Sequence, residues 1–465
     1  MVLDKLNPIF FSWLMLTNLG SFGAIAQTSD ISVVSSVQIS IDEPSVRHVE
    51  SCLAINPRNP RNLVAASIVL GERTGVAVYS SHDAGMSWLR ATHGVSKGLV
   101  FEGLDPALAF DIEGNVYLVT GKVAVWRSAD GGKIWGDPVG VPGSGYDRPF
   151  ISCDVSGREG YGGLVYMSGK LPITVFGHPG MDAIALSASR DRGASFSFPR
   201  LVLPAPEKEQ LNLVSDLLVL ADGKVILVLQ TFPPQDLTTP LVTGAYSIIV
   251  SEDGGRSFSE PRRVANFRTY GHAAEGKSLL GIGGGRLAVD SSGGSRQGRL
   301  YLTWLDVVDG YHQVMAAASA NVGRTWSRPV QVTDSKIKSD QSNPAIAVNN
   351  EGVVGISWND RRGDPTDRCY QLFFAASTDG GATFSANRKL NEQFTCPIGR
   401  PSIGSKAIAT PDPSVDAIRS EYRFKNGGDT QGIVGMANGA FHLAWINGES
   451  GELQLWSTVI VVSPH

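Results

Sequence analysis

Apolar residues in this chain fall into short runs grouped in threes, with polar or glycine-rich stretches between the groups. Residues 53–55, 63–66 and 76–79 form the first group. The layout recurs at 107–110, 116–119 and 123–126, then at 149–153, 164–168 and 183–186. It returns at 217–220, 225–229 and 246–250, at 287–289, 300–304 and 313–318, and at 345–348, 353–358 and 371–376. Runs this short predict β-strands, the first of each group buried on both faces. A seventh group, 432–436, 441–445 and 453–460, ends the pattern, while residues 31–40 form a strand without companions. The period of about 60 residues suits one supersecondary unit repeated along the chain.

A polar turn, S-x-D-x-G-x-T-W, follows the third run in six of the groups. Its members are Ser81, Asp83, Gly85, Ser87 and Trp88; then Ser128, Asp130, Gly132 and Trp135, with Ile134 in the Thr place. Ser189, Asp191, Gly193, Ser195 and Phe196 come next, followed by Ser251, Asp253, Gly255, Ser257 and Phe258. The last two copies are Ser319, Asn321, Gly323, Thr325 and Trp326, and Ser377, Asp379, Gly381, Thr383 and Phe384. Asp accepts bonds from the turn backbone, Gly supplies the positive φ, the hydroxyls close the turn and the aromatic buries beneath it. This turn is an Asp box, and the array resembles the sialidase-like family of β-propellers over residues 31–462. The resemblance implies an all-β fold and a single β-propeller. Counting groups gives seven four-stranded blades, the strand at 31–40 completing the last one so that the N- and C-terminal strands pair and close the ring. Six blades, the usual sialidase number, is the rival count and makes the last group an accessory hairpin.

Bulk composition changes this picture little. The chain has 465 residues, 42% of them hydrophobic and 18% charged, and a formal net charge of −4, which argues against nucleic acid or an anionic membrane as partner. Lys5, the apolar run at 9–16 and the small-residue site Ala24-Ile25-Ala26 read as a signal peptide over residues 1–26, leaving 27–465 as the propeller domain of a secreted or periplasmic monomer. No segment is long and apolar enough to span a bilayer. Export permits disulfides; Cys369 and Cys396 flank strands of one group and are placed to pair, while Cys52 and Cys153 read as small buried thiols. No Cys or His spacing resembles a zinc site, and no cofactor is expected.

In the propellers that this chain resembles, the boxes are structural and ligands meet the channel mouth, where loops enter the inner strands. Polar residues recur at those entrances: Glu50, Asp105, Asp147 with Arg148, Asp216, Asp340 and Asp429. The fifth entrance is out of register, with Glu275 the nearest acid. Each acid either caps its own turn or binds ligand; Glu50, Asp105, Asp216, Asp340 and Arg400 are the substrate-binding candidates. Sialidase chemistry, as the resemblance implies it, needs three arginines on a substrate carboxylate, a tyrosine nucleophile helped by a glutamate, and an aspartic acid/base. The family's Arg-Ile-Pro signature is absent. Arg47, Arg148, Arg361, Arg362 and Arg400 are available, and Asp360-Arg361-Arg362 also reads as a turn with its own salt bridge. Asp147, Arg148, Tyr270 and Glu275 are the catalytic candidates, Tyr270 and Glu275 because they share a glycine-rich insertion at 266–286. A second insertion spans 397–428. Two functions fit: a secreted glycoside hydrolase acting on a terminal sugar at the channel mouth, or a non-catalytic propeller that binds a glycan or extracellular protein.

Overall fold

In the computed structural model, the described residues are 29–71, 74–93, 101–121, 124–143, 146–158, 163–172, 182–203, 211–232, 239–270, 284–396, 424 and 426–464. They form seven four-stranded antiparallel sheets, one per predicted group, set as the blades of a propeller. The innermost strands are Arg47–Ile55, Ala107–Phe110, Asp147–Cys153, Leu211–Val219, Arg286–Val289, Gln341–Val348 and Gly432–Gly435, in blades one to seven. Seven blades, not six, is therefore the architecture. The last blade has the strand order Ser29–Gln38, Gln454–Pro464, Ala440–Asn447, Gly432–Gly435, so the first and last described strands share one sheet. Their register runs from Ser29 opposite Pro464 to Gln38 opposite Trp456. A short parallel pair, Thr92–His93 with Ile134–Trp135, stitches blade one to blade two.

Second strands are buried on both faces, as Leu63–Leu70 and Val225–Phe232 illustrate, because each is sandwiched between neighbouring blades. Aromatic side chains fill those interfaces: Tyr246 lies 6.1 Å from Trp304 across the boundary of blades four and five, and Phe374 lies 5.3 Å from Phe441 across that of six and seven. The six polar turns join third to fourth strands. In all six, the Ser hydroxyl accepts the Gly N–H at 2.7 to 3.0 Å. The Asp holds the far side, as where Asp379 accepts from Thr383 N at 3.0 Å and Thr383 Oγ1 at 2.6 Å. Gly85 shows why the turn needs glycine: φ is 83°, and any side chain would collide with His442 of blade seven.

Cys369 and Cys396 are joined as a disulfide, tying the start of the third strand of blade six to the chain leaving that blade. Cys153 is buried; Cys52 is only half-buried, because it lies on the wall of the central channel. The insertion expected at 266–286 begins as regular structure: Arg262–Tyr270 is the fourth strand of blade four, pairing with Leu241–Ser251. Glu275 and Arg400 lie outside the described residues. Among the described residues, no helix is long and apolar enough to cross a membrane.

Candidate functional site

All seven inner strands contribute to one cavity of about 250 Å³ at the entrance of the central channel. A repeated local irregularity accompanies it in four of the blades. Glu50, Asp105, Arg148 and Asn343 have left-handed backbones with φ between 50° and 55°. Each stands six residues before the Asn or Asp that ends its inner strand: Asn56, Asp111, Asp154 and Asn349. In blades one, three and six the pairing register slips at that point, as a β-bulge does. Pro106, Pro149 and Pro344 follow three of the four; proline lacks an N–H, so no ladder bond is lost where the strand bulges. Left-handed non-glycine residues cost about 1–3 kcal/mol each and persist where the surroundings fix them, commonly at functional positions.

The resulting wall is crowded with charge. Glu50 is buried on it, and Asp105 stands beside it from blade two. Arg148 of blade three reaches across the channel to an ion pair with Asp429 of blade seven, whose carboxylate is 5% exposed. Asp216 of blade four accepts the backbone N–H of Leu217 at 2.9 Å and of Leu287 at 2.8 Å. Burial raises its pKa above the ordinary carboxylate value, against the opposing charge of Arg286. Arg286 of blade five donates to Ser215 O at 2.9 Å and lies 5.2 Å over the Phe150 ring. Burial pushes the Cys52 thiol up to about 12, so it rests protonated and is a poor nucleophile. The phenol that feels both arginines is Tyr246, which is buried, accepts from Gln230 Nε2 at 3.1 Å and is held protonated by burial.

Sequence reasoning placed Glu50, Asp105, Arg148, Asp216 and Asp429 at entrances, and these line the cavity. Asp147 points elsewhere, pairing with Lys170 at 3.1 Å. Among the described residues, the wall does not include Tyr270 or Asp340. These two meet at a different place, around buried His312 of blade five. The Tyr270 ring packs edge-on at 5.1 Å from His312, its hydroxyl donating to Gly310 O, while Asp340 Oδ1 accepts His312 N–H at 2.8 Å. Asp340 N in turn donates to Asp367 at 2.9 Å, and buried Arg361 lies nearby, donating weakly to Ser342 at 3.3 Å. Arg47 pairs with Glu452 at 2.7 Å, and Arg362 with Asp360 at 2.8 Å in the turn salt bridge expected of it.

Two positions escaped the sequence reading. Arg286 is the fifth blade's charged residue on the wall, and Asn343, not Asp340, is the left-handed residue of the sixth, next to the wall residues Ala345 and Ile346. A signal existed for Asn343: the X-Pro dipeptide entering the strand, shared with Asp105-Pro106 and Arg148-Pro149. Arg286 stands four residues before Asp290, as Cys52 stands before Asn56, which aligning strand ends would have exposed. Among the described residues, no group of three or more His, Cys, Asp or Glu side chains is arranged to hold a metal ion.

No family model matches the chain, and no curated protein does. Solved structures are similar in fold. A protein of unknown function from Dyadobacter fermentans has a TM-score of 0.50 at 10% identity, covering 93% of this chain and 99% of that one. An α-L-arabinofuranosidase from Fusarium graminearum, solved with an iminosugar inhibitor, gives 0.46 at 11% identity, with coverage of 92% and 97%. A leech intramolecular trans-sialidase gives 0.42 at 12% identity, with coverage of 93% and 70%. At such identities the sialidase-like resemblance is one of fold, and what the chain does must be argued from its own cavity.

Proposed function

We propose that this protein is an exported, monomeric propeller that receives the terminal sugar of a glycan at its channel mouth. The observation that carries this reading is the convergence of Glu50, Asp105, Arg148, Asp216, Arg286 and Asp429, from six different blades, on one cavity. Carboxylates and guanidinium groups fixed by backbone geometry suit a ring of hydroxyls, each of which donates and accepts. The apolar run and Ala24-Ile25-Ala26 at the N-terminus support export, as does the Cys369–Cys396 disulfide.

Glycoside hydrolysis at the same place is the second reading, and Asp216 favours it. A carboxyl whose pKa burial raises is suited to hold a proton for a leaving oxygen, with Glu50 or Asp105 as the second carboxylate. Sialidase-type chemistry has less support. Among the described residues, no Tyr–Glu couple lines the cavity, and Arg148 and Arg286 are the arginines on its wall.

The test is binding of purified protein to a glycan array together with a panel of aryl glycosides. Binding that Arg148→Ala or Glu50→Gln weakens at least tenfold, at unchanged melting temperature, supports recognition at the mouth. Turnover lost in Asp216→Asn with binding retained supports hydrolysis. Binding indifferent to all three substitutions moves the site away from the channel.

A further inference from the structure

The arginines of the channel are met by carboxylates of the chain itself. Arg148 is paired with Asp429 from the far side of the ring, and Arg286 sits where the charge of Asp216 acts on it. Asp429 is not a mobile side chain that happens to reach Arg148. Its neighbours are fastened to the blades on either side: Asn343 Nδ2 of blade six donates to Gly428 O at 2.9 Å, and Glu50 N of blade one donates to Gly427 O at 2.9 Å. Ser51 N donates to Thr430 O at 3.3 Å. Gly427 and Gly428 are both left-handed, with φ of 84° and 87°, and a side chain on Gly428 would collide with Glu50. That sequence of turns delivers one carboxylate into the channel and holds it there.

We infer that Asp429 is a built-in carboxylate that occupies Arg148, so that the channel mouth selects an uncharged sugar over an acidic one. The inference rests on the reading that the mouth binds a sugar. A ligand carboxylate on Arg148 would compete with Asp429 and would enter beside Glu50, Asp105 and Asp216, which opposes it. Among the described residues, the acids of the wall (Glu50, Asp105, Asp216 and Asp429) outnumber its arginines (Arg148 and Arg286), and even with Asp216 protonated this does not favour an anion on approach. Hydroxyl groups meet no such barrier. Ser215, 3% exposed, and Gln431 also stand on the wall, and among the described residues Ser215 Oγ and Gln431 Oε1 are buried without a hydrogen-bond partner, so the wall has polar capacity that its own chain does not use.

The experiment is titration calorimetry with matched pairs, glucose against glucuronate and galactose against galacturonate, plus N-acetylneuraminate and glucosamine. The wild-type protein is expected to bind the neutral member of a pair at least tenfold more tightly. Asp429→Asn, which keeps the shape and removes the charge, is expected to raise affinity for the acidic sugars at least tenfold. Adding Arg148→Ala to that variant is expected to erase the gain. A folded Asp429→Asn protein without the gain overturns the inference, even where neutral sugars still bind and the broader reading stands. Binding of no sugar by the wild type overturns the broader reading and the sugar selection built on it; a carboxylate gained in Asp429→Asn then shows only that Asp429 blocks Arg148. Should the variant not fold, the wild-type ratio decides: equal or tighter binding of the acid, or a tenfold preference for glucosamine over glucose, overturns selection for an uncharged ring.

Discussion

Two buried histidines carry the clearest consequence at the scale of single residues. His48 of blade one is bonded through Nδ1 to Ser67 Oγ at 2.8 Å, and its Nε2 is buried without a partner. His442 of blade seven bonds Ser457 through Nε2 and leaves Nδ1 bare, with Trp88 edge-on at 6.1 Å. Burial, reinforced by Arg90, pulls the His48 pKa down to about 3, and burial alone pulls His442 down to about 4. Both shifts are downward, so below pH 6.5 the unfolded chain takes up protons that the folded chain refuses. Stability is fully present above pH 6.5 and falls as the pH drops toward 4 and then 3, by about 1.4 kcal/mol per pH unit for each histidine. Urea unfolding of wild-type and His48→Asn protein at pH 7 and pH 5 measures this. The variant is expected to lose less stability between the two values, and identical losses would refute the assignment. The same residue scale shows why parts of the channel were illegible in the sequence. Glu50, Asp105 and Asp216 stand immediately before apolar runs and announce themselves. Asn343 sits where a bulge falls, and a bulge shifts register without changing the hydrophobic pattern. The Arg148–Asp429 pair joins residues 281 positions apart, which no local pattern encodes.

Among the elements, the connection at 361–370 between the second and third strands of blade six is held by a dense set of bonds. Asp364 accepts the N–H groups of Thr366, Arg368 and Cys369, at 2.9, 2.9 and 2.7 Å, which holds its carboxyl well below the usual range. The disulfide anchors the far end of the connection at Cys369. Within this frame Asp367 adopts φ 55° and meets Asp340 carboxyl to carboxyl, and desolvation, with the neighbouring acid, raises its pKa to about 6. A carboxyl raised from 3.8 contributes stability that is complete below pH 3.8 and lost as the pH rises through about 6, the reverse of the histidines. Asp367→Asn keeps the acceptor for Asp340 N, replaces the shared proton with an amide donor, and suits a left-handed backbone better than Asp. The variant is expected to be about 1 kcal/mol more stable than wild type at pH 7.5, after allowing for the exposure of the loop, and no more stable at pH 4. Denaturant midpoints at the two pH values measure this; a variant less stable at pH 7.5 removes the carboxyl pair as the cause. Little of this loop was readable beforehand. The Asp360–Arg362 salt bridge was, because its partners are two residues apart. Tyr270 and Asp340 were each noticed, but for a channel they do not line; what unites them is His312, which sits in an apolar-looking third strand of another blade.

Over the whole molecule, blade number and closure were legible because they rest on repetition. Each apolar triplet and each polar turn is an independent copy of one signal, so the count survives an error in any one of them. Closure has a measurable consequence. The strand Ser29–Gln38 supplies the fourth strand of blade seven and buries Ile31, 4% exposed, against the cluster that holds Ile460 and Val462. Beyond it, Ser40 Oγ donates to Gln454 at 2.6 Å and Arg47 pairs with Glu452 at 2.7 Å, so the closing contacts continue up to the start of blade one. Without that strand, Gln454–Pro464 becomes an open edge of eleven residues carrying Trp456, Val459 and Val461. Gly428 packs against Glu50 where the inner strands of blades one and seven meet, at the opposite edge of the seventh sheet from this closing seam. Deleting residues 29–38 is therefore expected to lower the melting temperature by several degrees and to drive self-association. A synthetic peptide of residues 29–38 is expected to restore the melt in a concentration-dependent way, because it binds the folded ring and not the unfolded chain. Size-exclusion chromatography and thermal melts at rising peptide concentration read both effects. A truncated protein that stays monomeric and melts with the full chain would mean that the ring is held by its blade-to-blade interfaces alone, and that the shared seventh sheet is dispensable.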